Sequence, residues 1–176
     1  ELLSTGLLDE PQVTVMNYAI RNFLKKNGEV IPIKFLTFGE FVNANYTYYG
    51  FKLKTLQYEW PWIENTSTPL SEKKAVHAID FREINKEALD ISGRTRILKK
   101  GTLNGFRLSS KTFFTEEIIH ETSPAFCPPI VIPLTKIIEV DINDFISFRL
   151  SYKFGHGYSS LNIDAKLEEE FKEKTC

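Results

Sequence analysis

The chain has 176 residues, of which 22 are basic and 23 acidic, with a net charge of -1 and 42% hydrophobic content. A composition of this kind excludes a disordered or fibrous chain, and a domain of this length buries roughly 70% of its extended-chain surface on folding. The balanced charge argues against nucleic acid as a partner, because Arg94, Arg96, Lys99, Lys100 and the pairs Lys25-Lys26 and Lys73-Lys74 read as solvated faces. No run approaches the ~20 apolar residues of a membrane helix.

The first clear element is DEPQVTVMNYAIRNFLKKNGEV. Val13, Met16, Ile20, Phe23 and Leu24 recur at helical spacing, so the segment reads as an amphipathic helix over about 11–27. Pro11 suits the first turn, Asp9 and Glu10 the positive end, Lys25 and Lys26 the negative end, and Asn27-Gly28 the cap. The apolar stripe of such a helix needs a sheet or a partner to cover it.

Beyond Gly28 the character changes to β. The sequence contains 14 Phe, 7 Tyr and 2 Trp, and aromatic and β-branched residues favour half-buried pleated surfaces. EVIPIKFLTF, FVNANYTYY and FKLKTLQYEW read as strands, the first with a bend or an edge position at Pro32. Phe51 through Tyr58 alternate in a partial period of two. ENTSTPLSEKK is a polar loop, AVHAIDFREI a strand, and Asn104-Gly105 a hairpin signal between RTRILKK and FRLSSKTFF. SPAFCPPIVIP is extended or turning, and LTKIIEVDI leads through Asn143-Asp144 into FISFRLSYKF. There Ile146, Phe148, Leu150, Tyr152 and Phe154 form one apolar face that should cover a core. NIDAKLEEEFKEK, with Ile163, Leu167 and Phe171 four apart, reads as a short carboxy-terminal helix over about 161–174.

The fold class expected is therefore α+β, mainly β. One domain spans 1–176, with a β-rich body over about 29–156 arranged as an antiparallel sandwich or jelly-roll-like sheets between two terminal helices. A curved sheet wrapped on the first helix, as in cystatin-like cones, is the architectural alternative. The chain begins at Glu1, which suggests a processed product or part of something longer.

Catalytic constellations are sparse, and no catalytic residue is assigned. His120, two residues before Thr122, supplies half of the paired His-X-Ser/Thr pattern of certain phosphodiesterases, and neither His77 nor His156 supplies the other half. Cys127 precedes two prolines and opens no helix that would lower its thiol pKa, so a buried thiol or a disulfide with Cys176 is the reading preferred over a Cys-His dyad. Such a disulfide would suit an oxidising compartment. Asn45 and Asn65 head two Asn-X-Ser/Thr sequons that permit, without requiring, glycosylation. Glu139, Asp141, Asn143 and Asp144 lack the spacing of a calcium loop and read as a turn, and no Cys-X-X-Cys or His-Glu-X-X-His spacing marks a metal. No glycine-rich phosphate loop is visible, and no cofactor or metal is expected.

The best binding candidate is LQYEWPWIENT, where Tyr58, Trp60 and Trp62 flank Pro61. Exposed aromatics in such loops stack on sugars or anchor protein interfaces, whereas rings continuing the strand's alternation would cap the core. If one ring is exposed, it should be Trp62, past the proline. The leading functional expectation is a non-enzymatic interaction or assembly module, secreted, surface-borne or particle-forming, acting on a protein partner, on a second copy of itself or on a glycan. The alternatives are a carrier of an apolar ligand in a β-enclosed cavity and a small hydrolase-like enzyme using His120 or His77 with a carboxylate.

Overall fold

The computed structural model of the protein describes residues 2–60, 62, 67–122 and 126–168. The described residues are mostly antiparallel β with one α-helix among them. A 3-10 turn at Thr5–Leu7 precedes helix α1 at Gln12–Asn22. Strands follow in the order β1 Lys34–Ala44, β2 Thr47–Tyr48, β3 Phe51–Lys52, β4 Gln57–Tyr58, β5 Ser67–Pro69 and β6 Lys74–Asp80. They continue with β7 Ala88–Arg96, β8 Gly101–Phe113, β9 Ile119–Glu121, β10 Ile130–Val140, β11 Phe145–Lys153 and β12 Asn162–Leu167, with a second 3-10 turn at Gly157–Ser160 before β12. The largest sheet runs β4-β10-β8-β1-β5, with β6 on β1 and β9 on β8, while β12-β11-β7 form a second sheet and β2-β3 a small hairpin.

The core lies where these two larger sheets meet. Along β11 the buried residues Ile146, Phe148, Leu150 and Tyr152 alternate with more exposed ones, as period two requires of a half-covered strand. Phe148 projects from β11 against Phe41 of β1 and Phe106 of β8, with ring centroids 5.6 and 5.5 Å apart, and Phe41 meets Phe106 edge-on at 4.8 Å. Two glycines make room for these rings. A Cβ on Gly39 would lie 2.3 Å from Phe106 Cζ, and one on Gly93 would lie 2.5 Å from Phe148 Cζ.

Several sequence expectations are corrected. Residues 162–167 are a strand and not the start of a helix. They pair with β11 in the register Leu150↔Ile163 to Ile146↔Leu167. Residues four apart share a face on a strand as they do on a helix, so the spacing of Ile163 and Leu167 did not discriminate; the remainder of that expected helix, 169–174, lies outside the described residues. Helix α1 ends at Asn22 rather than near 27, because the amides of both Phe23 and Leu24 turn to the carbonyl of Ala19. Asn104-Gly105 makes no hairpin and sits inside β8, where the Asn104 carboxamide accepts from the Ala44 amide at 2.7 Å. Only the ends of the run from Phe51 to Tyr58 are strand, as β3 and β4.

Alanine at an ordinary strand glycine is neutral or stabilising. Gly39→Ala and Gly93→Ala should each destabilise by about 1–3 kcal/mol in urea unfolding, because the new methyl displaces a core ring. A gain in stability for either variant would show that its ring is not held in that recess.

Candidate functional site

The site begins with the segment preceding α1, which is threaded against both sheets. Thr5 Oγ1 donates to the Pro128 carbonyl at 2.8 Å, and the Gly6 amide donates to Ser110 Oγ at 2.8 Å. Tyr152 donates its hydroxyl to the Gly6 carbonyl at 2.8 Å, and the amides of Gly155 and Gly157 donate to the carbonyls of Leu7 and Leu8 at 3.0 and 2.8 Å. Leu7 and Leu8 are fully buried. These contacts deliver Asp9 to the edge of the fold beside β4, where its amide donates to Ser4 Oγ at 3.2 Å.

Asp9 Oδ2 receives two phenols, Tyr58 from β4 at 3.0 Å and Tyr158 from the second 3-10 turn at 2.7 Å, and the two hydroxyls also touch each other. Burial raises the pKa of Tyr58. Burial, with the hydrogen bonds to Tyr58 and Asp9, raises that of Tyr158 as well. Both phenols therefore stay protonated at neutral pH and act as donors. From Tyr58 an aromatic ladder leads outward: Trp60 lies 5.8 Å from it, and Trp62 stacks on Trp60 at 5.1 Å with the rings 8° apart. Trp60 is half-buried and Trp62 is 73% exposed. A carboxylate at the base of a stack of π-faces is an arrangement suited to a cation, which gains from both the charge and the ring quadrupoles.

The residue between Tyr58 and Trp60 is fastened from the other side. Glu59 accepts from Arg107 Nη1 at 3.3 Å and from Ser67 Oγ, while the same guanidinium holds the buried Glu40 at 2.9 Å. Glu40 faces Arg107 directly across the β1-β8 ladder. This ion cluster orients the strip that carries the ladder.

Tyr58, Trp60 and Trp62, singled out from the sequence, are brought together in this ladder. Asp9 was read only as an acid suited to a helix terminus, and Tyr158 was not singled out. No local sequence signal joins positions 9, 58 and 158, since they meet only through the packing of the amino-terminal segment between the sheets. The other candidates lie elsewhere. Asn45 is exposed and its carboxamide accepts from the Thr47 amide at 2.9 Å. Asn65 and Cys176, and with the latter the proposed disulfide, lie outside the described residues. Cys127 Sγ donates to the Leu3 carbonyl at 3.6 Å.

His77 is half-buried and stacks on Phe154 at 5.7 Å, and burial lowers its pKa. His120 meets Phe126 edge-on at 4.9 Å, with Nε2 buried. Among the described residues neither histidine is hydrogen-bonded to a carboxylate. In the turn after β10, the Asp141 amide donates to Asp144 Oδ2 at 2.7 Å and Lys100 pairs with Asp141 at 2.7 Å. No group of three or more His, Cys, Asp or Glu residues is placed to hold a metal among the described residues, and no helix there is long and apolar enough to cross a membrane.

The phenols give the site a pH signature. Folding raises the pKa of Tyr58 and Tyr158, so their contribution to stability is complete below the free-tyrosine value of 10 and is lost as pH rises beyond it. Unfolding free energy should fall above about pH 10, and the double variant Tyr58→Phe/Tyr158→Phe should lose part of that slope and about 1–2 kcal/mol at neutral pH. Phenolate absorbance should show two fewer late-titrating groups in the variant; an unchanged alkaline titration would remove the two phenols from the cluster.

No family model matches the chain. An uncharacterized protein of Methanocaldococcus jannaschii is 28% identical to it over 167 residues, covering 93% of this chain and 59% of that relative. An uncharacterized protein of Methanothermobacter thermautotrophicus is 30% identical over 162 residues, covering 92% of this chain and 58% of that one. The chain thus spans less than two thirds of the length of either relative. Among solved structures, a chain of the Trypanosoma brucei PRMT1 enzyme-prozyme heterotetrameric complex with AdoHcy aligns with a TM-score of 0.67 at 14% identity, covering 92% of this chain and 61% of that one. At that identity the likeness is one of fold.

Proposed function

We propose that this chain is the binding module of a larger methyltransferase-like protein, its two larger sheets forming the layers of a sandwich and its Asp9-Tyr58-Tyr158 cluster receiving a cationic group of a substrate or partner. The observation that carries the reading is the carboxylate at the foot of the aromatic ladder. The fold likeness over 92% of the chain to a protein whose structure was solved with AdoHcy supports the wider context. A partner-binding role through aromatic loops, expected from the sequence, is retained in this reading.

The S-adenosyl group itself does not fit the residues described. Methyltransferase chemistry calls for a group-carrying cofactor held in a dedicated site. Here Gly101-Thr102-Leu103-Asn104-Gly105 lies within a strand, and Gly155-His156-Gly157 runs into a four-residue 3-10 turn, so neither forms a glycine-rich passage from strand to helix. Binding of that group therefore belongs, in this proposal, to the portion of the polypeptide outside this chain. The residues in hand bind and orient: Asp9 supplies the charge, the two phenols fix its carboxylate, and the exposed Trp62, stacked on Trp60, offers the ring face along which a basic side chain can lie.

The test uses the full-length polypeptide. Calorimetry with AdoHcy and with a lysine- and arginine-rich peptide should give binding of both, and labelled methyl groups from S-adenosylmethionine should appear on the basic peptide rather than on an acidic control. Trp62→Ala should weaken peptide binding by about 0.5–2 kcal/mol without changing AdoHcy affinity, and Asp9→Asn should weaken it further. Equal binding of basic and acidic peptides would overturn the cation-receiving role, and absence of any AdoHcy binding would overturn the methyltransferase context.

A further inference from the structure

Both tryptophans of the chain and two of its tyrosines lie on one unbroken path of ring contacts. From the surface inward, Trp62 stacks on Trp60 at 5.1 Å between centroids, Trp60 meets Tyr58 at 5.8 Å, and Tyr58 meets Tyr158 at 6.3 Å. Each step falls within the about 4.5–7 Å of direct aromatic contact. Trp62 is the end open to solvent, at 73% exposure, whereas Trp60, Tyr58 and Tyr158 are half-buried. Indole and phenol give up a single electron more readily than any other aromatic side chain, so the path is made wholly of oxidisable rings.

The inner end of the path rests on a base. A phenol loses an electron near neutral pH only when its proton has somewhere to go. Asp9 Oδ2 accepts from Tyr58 at 3.0 Å and from Tyr158 at 2.7 Å, and the two hydroxyls touch each other. Burial raises the pKa of both phenols, which withholds the phenolate form and ties the departure of the electron to that of the proton. Other tyrosines are placed differently. Tyr152 and Tyr46 give their hydroxyls to the carbonyls of Gly6 at 2.8 Å and Asn104 at 3.4 Å, neither of which is a base. The path is also held in place, since Glu59, between Tyr58 and Trp60, is pinned by Arg107 at 3.3 Å.

We infer that Trp62, Trp60, Tyr58 and Tyr158 form a one-electron relay that restores an oxidised Trp62 from the phenol pair, with Asp9 as the proton acceptor. A one-electron oxidant of the peroxyl-radical class takes an electron from Trp62 and leaves as the peroxide anion. Trp60 refills Trp62, and Tyr58 refills Trp60. Tyr58 then passes its proton to the Asp9 carboxylate and becomes a neutral tyrosyl radical, in contact with the hydroxyl of Tyr158. The sum is one electron to the oxidant, one phenolic proton to Asp9 and one phenoxyl radical screened from solvent. A reductant of the thiol or ascorbate class returns the electron through Trp62, and Asp9 returns the proton. The exposed indole is thereby emptied of its radical before oxygen or water adds to the ring. The relay stands on ring contacts and hydrogen bonds alone and holds whether or not the site receives a cation.

The test uses this chain with its two exposed tyrosines replaced, Tyr18→Phe/Tyr49→Phe, so that direct oxidation of surface phenols is removed. After flash oxidation by a ruthenium(III) polypyridyl complex, the indolyl radical band should decay as a phenoxyl band rises, at a rate independent of protein concentration. Trp60→Phe should abolish that rise and leave the radical on Trp62. Asp9→Asn keeps a hydrogen-bond acceptor but no base, and should slow the rise and remove its solvent deuterium isotope effect. Under peroxyl radicals from an azo initiator, mass spectrometry should find more oxygen added to Trp62 in Tyr58→Phe/Tyr158→Phe than in the parent. Absence of a phenoxyl rise in the parent, a rise unchanged by Trp60→Phe, or equal oxidation of Trp62 with and without the two phenols would each overturn the relay.

Discussion

The structure depends on three phenylalanines that hold two sheets at one spacing. Phe41, Phe106 and Phe148 come from three strands, two in the large sheet and one in the small, and each ring touches the other two. Aromatic pairs of this kind contribute about 0.5–1.5 kcal/mol each beyond their burial, but their geometric effect is larger. Gly39 leaves a recess for Phe106 of the neighbouring strand, and Gly93 leaves one for its cross-strand partner Phe148, so each of these two rings lies over a glycine of its own sheet. The gap that remains accepts the segment carrying Leu7 and Leu8, whose seating places Asp9.

A second constraint acts at the surface end of the same strands. Arg107 bridges Glu40 on its own ladder to Glu59 on the aromatic strip, with all three largely buried. Buried ion clusters add less to stability than to uniqueness of arrangement, because desolvation offsets most of their attraction. Here the arrangement that is fixed is the path of residues 57–60, hence the position of Tyr58 and Trp60. The packing of the core and the charge cluster thus control the two halves of the site independently, the acid from one side and the rings from the other.

Patterns confined to one strand were legible in the sequence. The alternation of Ile146, Phe148, Leu150 and Tyr152 fixed both the existence of β11 and the face it buries. The helix before residue 23 was also legible, and Val13 and Met16 of its stripe pack on the core, whereas the burial of Gln12 and Asn17 beside them carried no periodic signal. Asn104-Gly105 misled because the local cue for a turn was overridden by pairing on both sides of β8. The carboxy-terminal strand was misread because a spacing of four satisfies both periods. Trp62 was expected to be the exposed ring, since a strand's facing rule does not extend past a proline, and it is the most exposed member of the ladder. Asp9 and Tyr158 were beyond reach: their roles are created by contact between segments that carry no mutual signature.

That last contact joins residues separated by 149 positions, and the neighbouring bonds from Thr5 to Pro128 and from Tyr152 to Gly6 span 123 and 146. The segment carrying Asp9 therefore acquires its place only through contact with residues up to 149 positions further along. Topologies dominated by such distant pairings fold slowly, since the loop entropy must be met before the contact rewards it. The cluster of Asp9, Tyr58 and Tyr158 thus exists only where segments far apart in the sequence have come together.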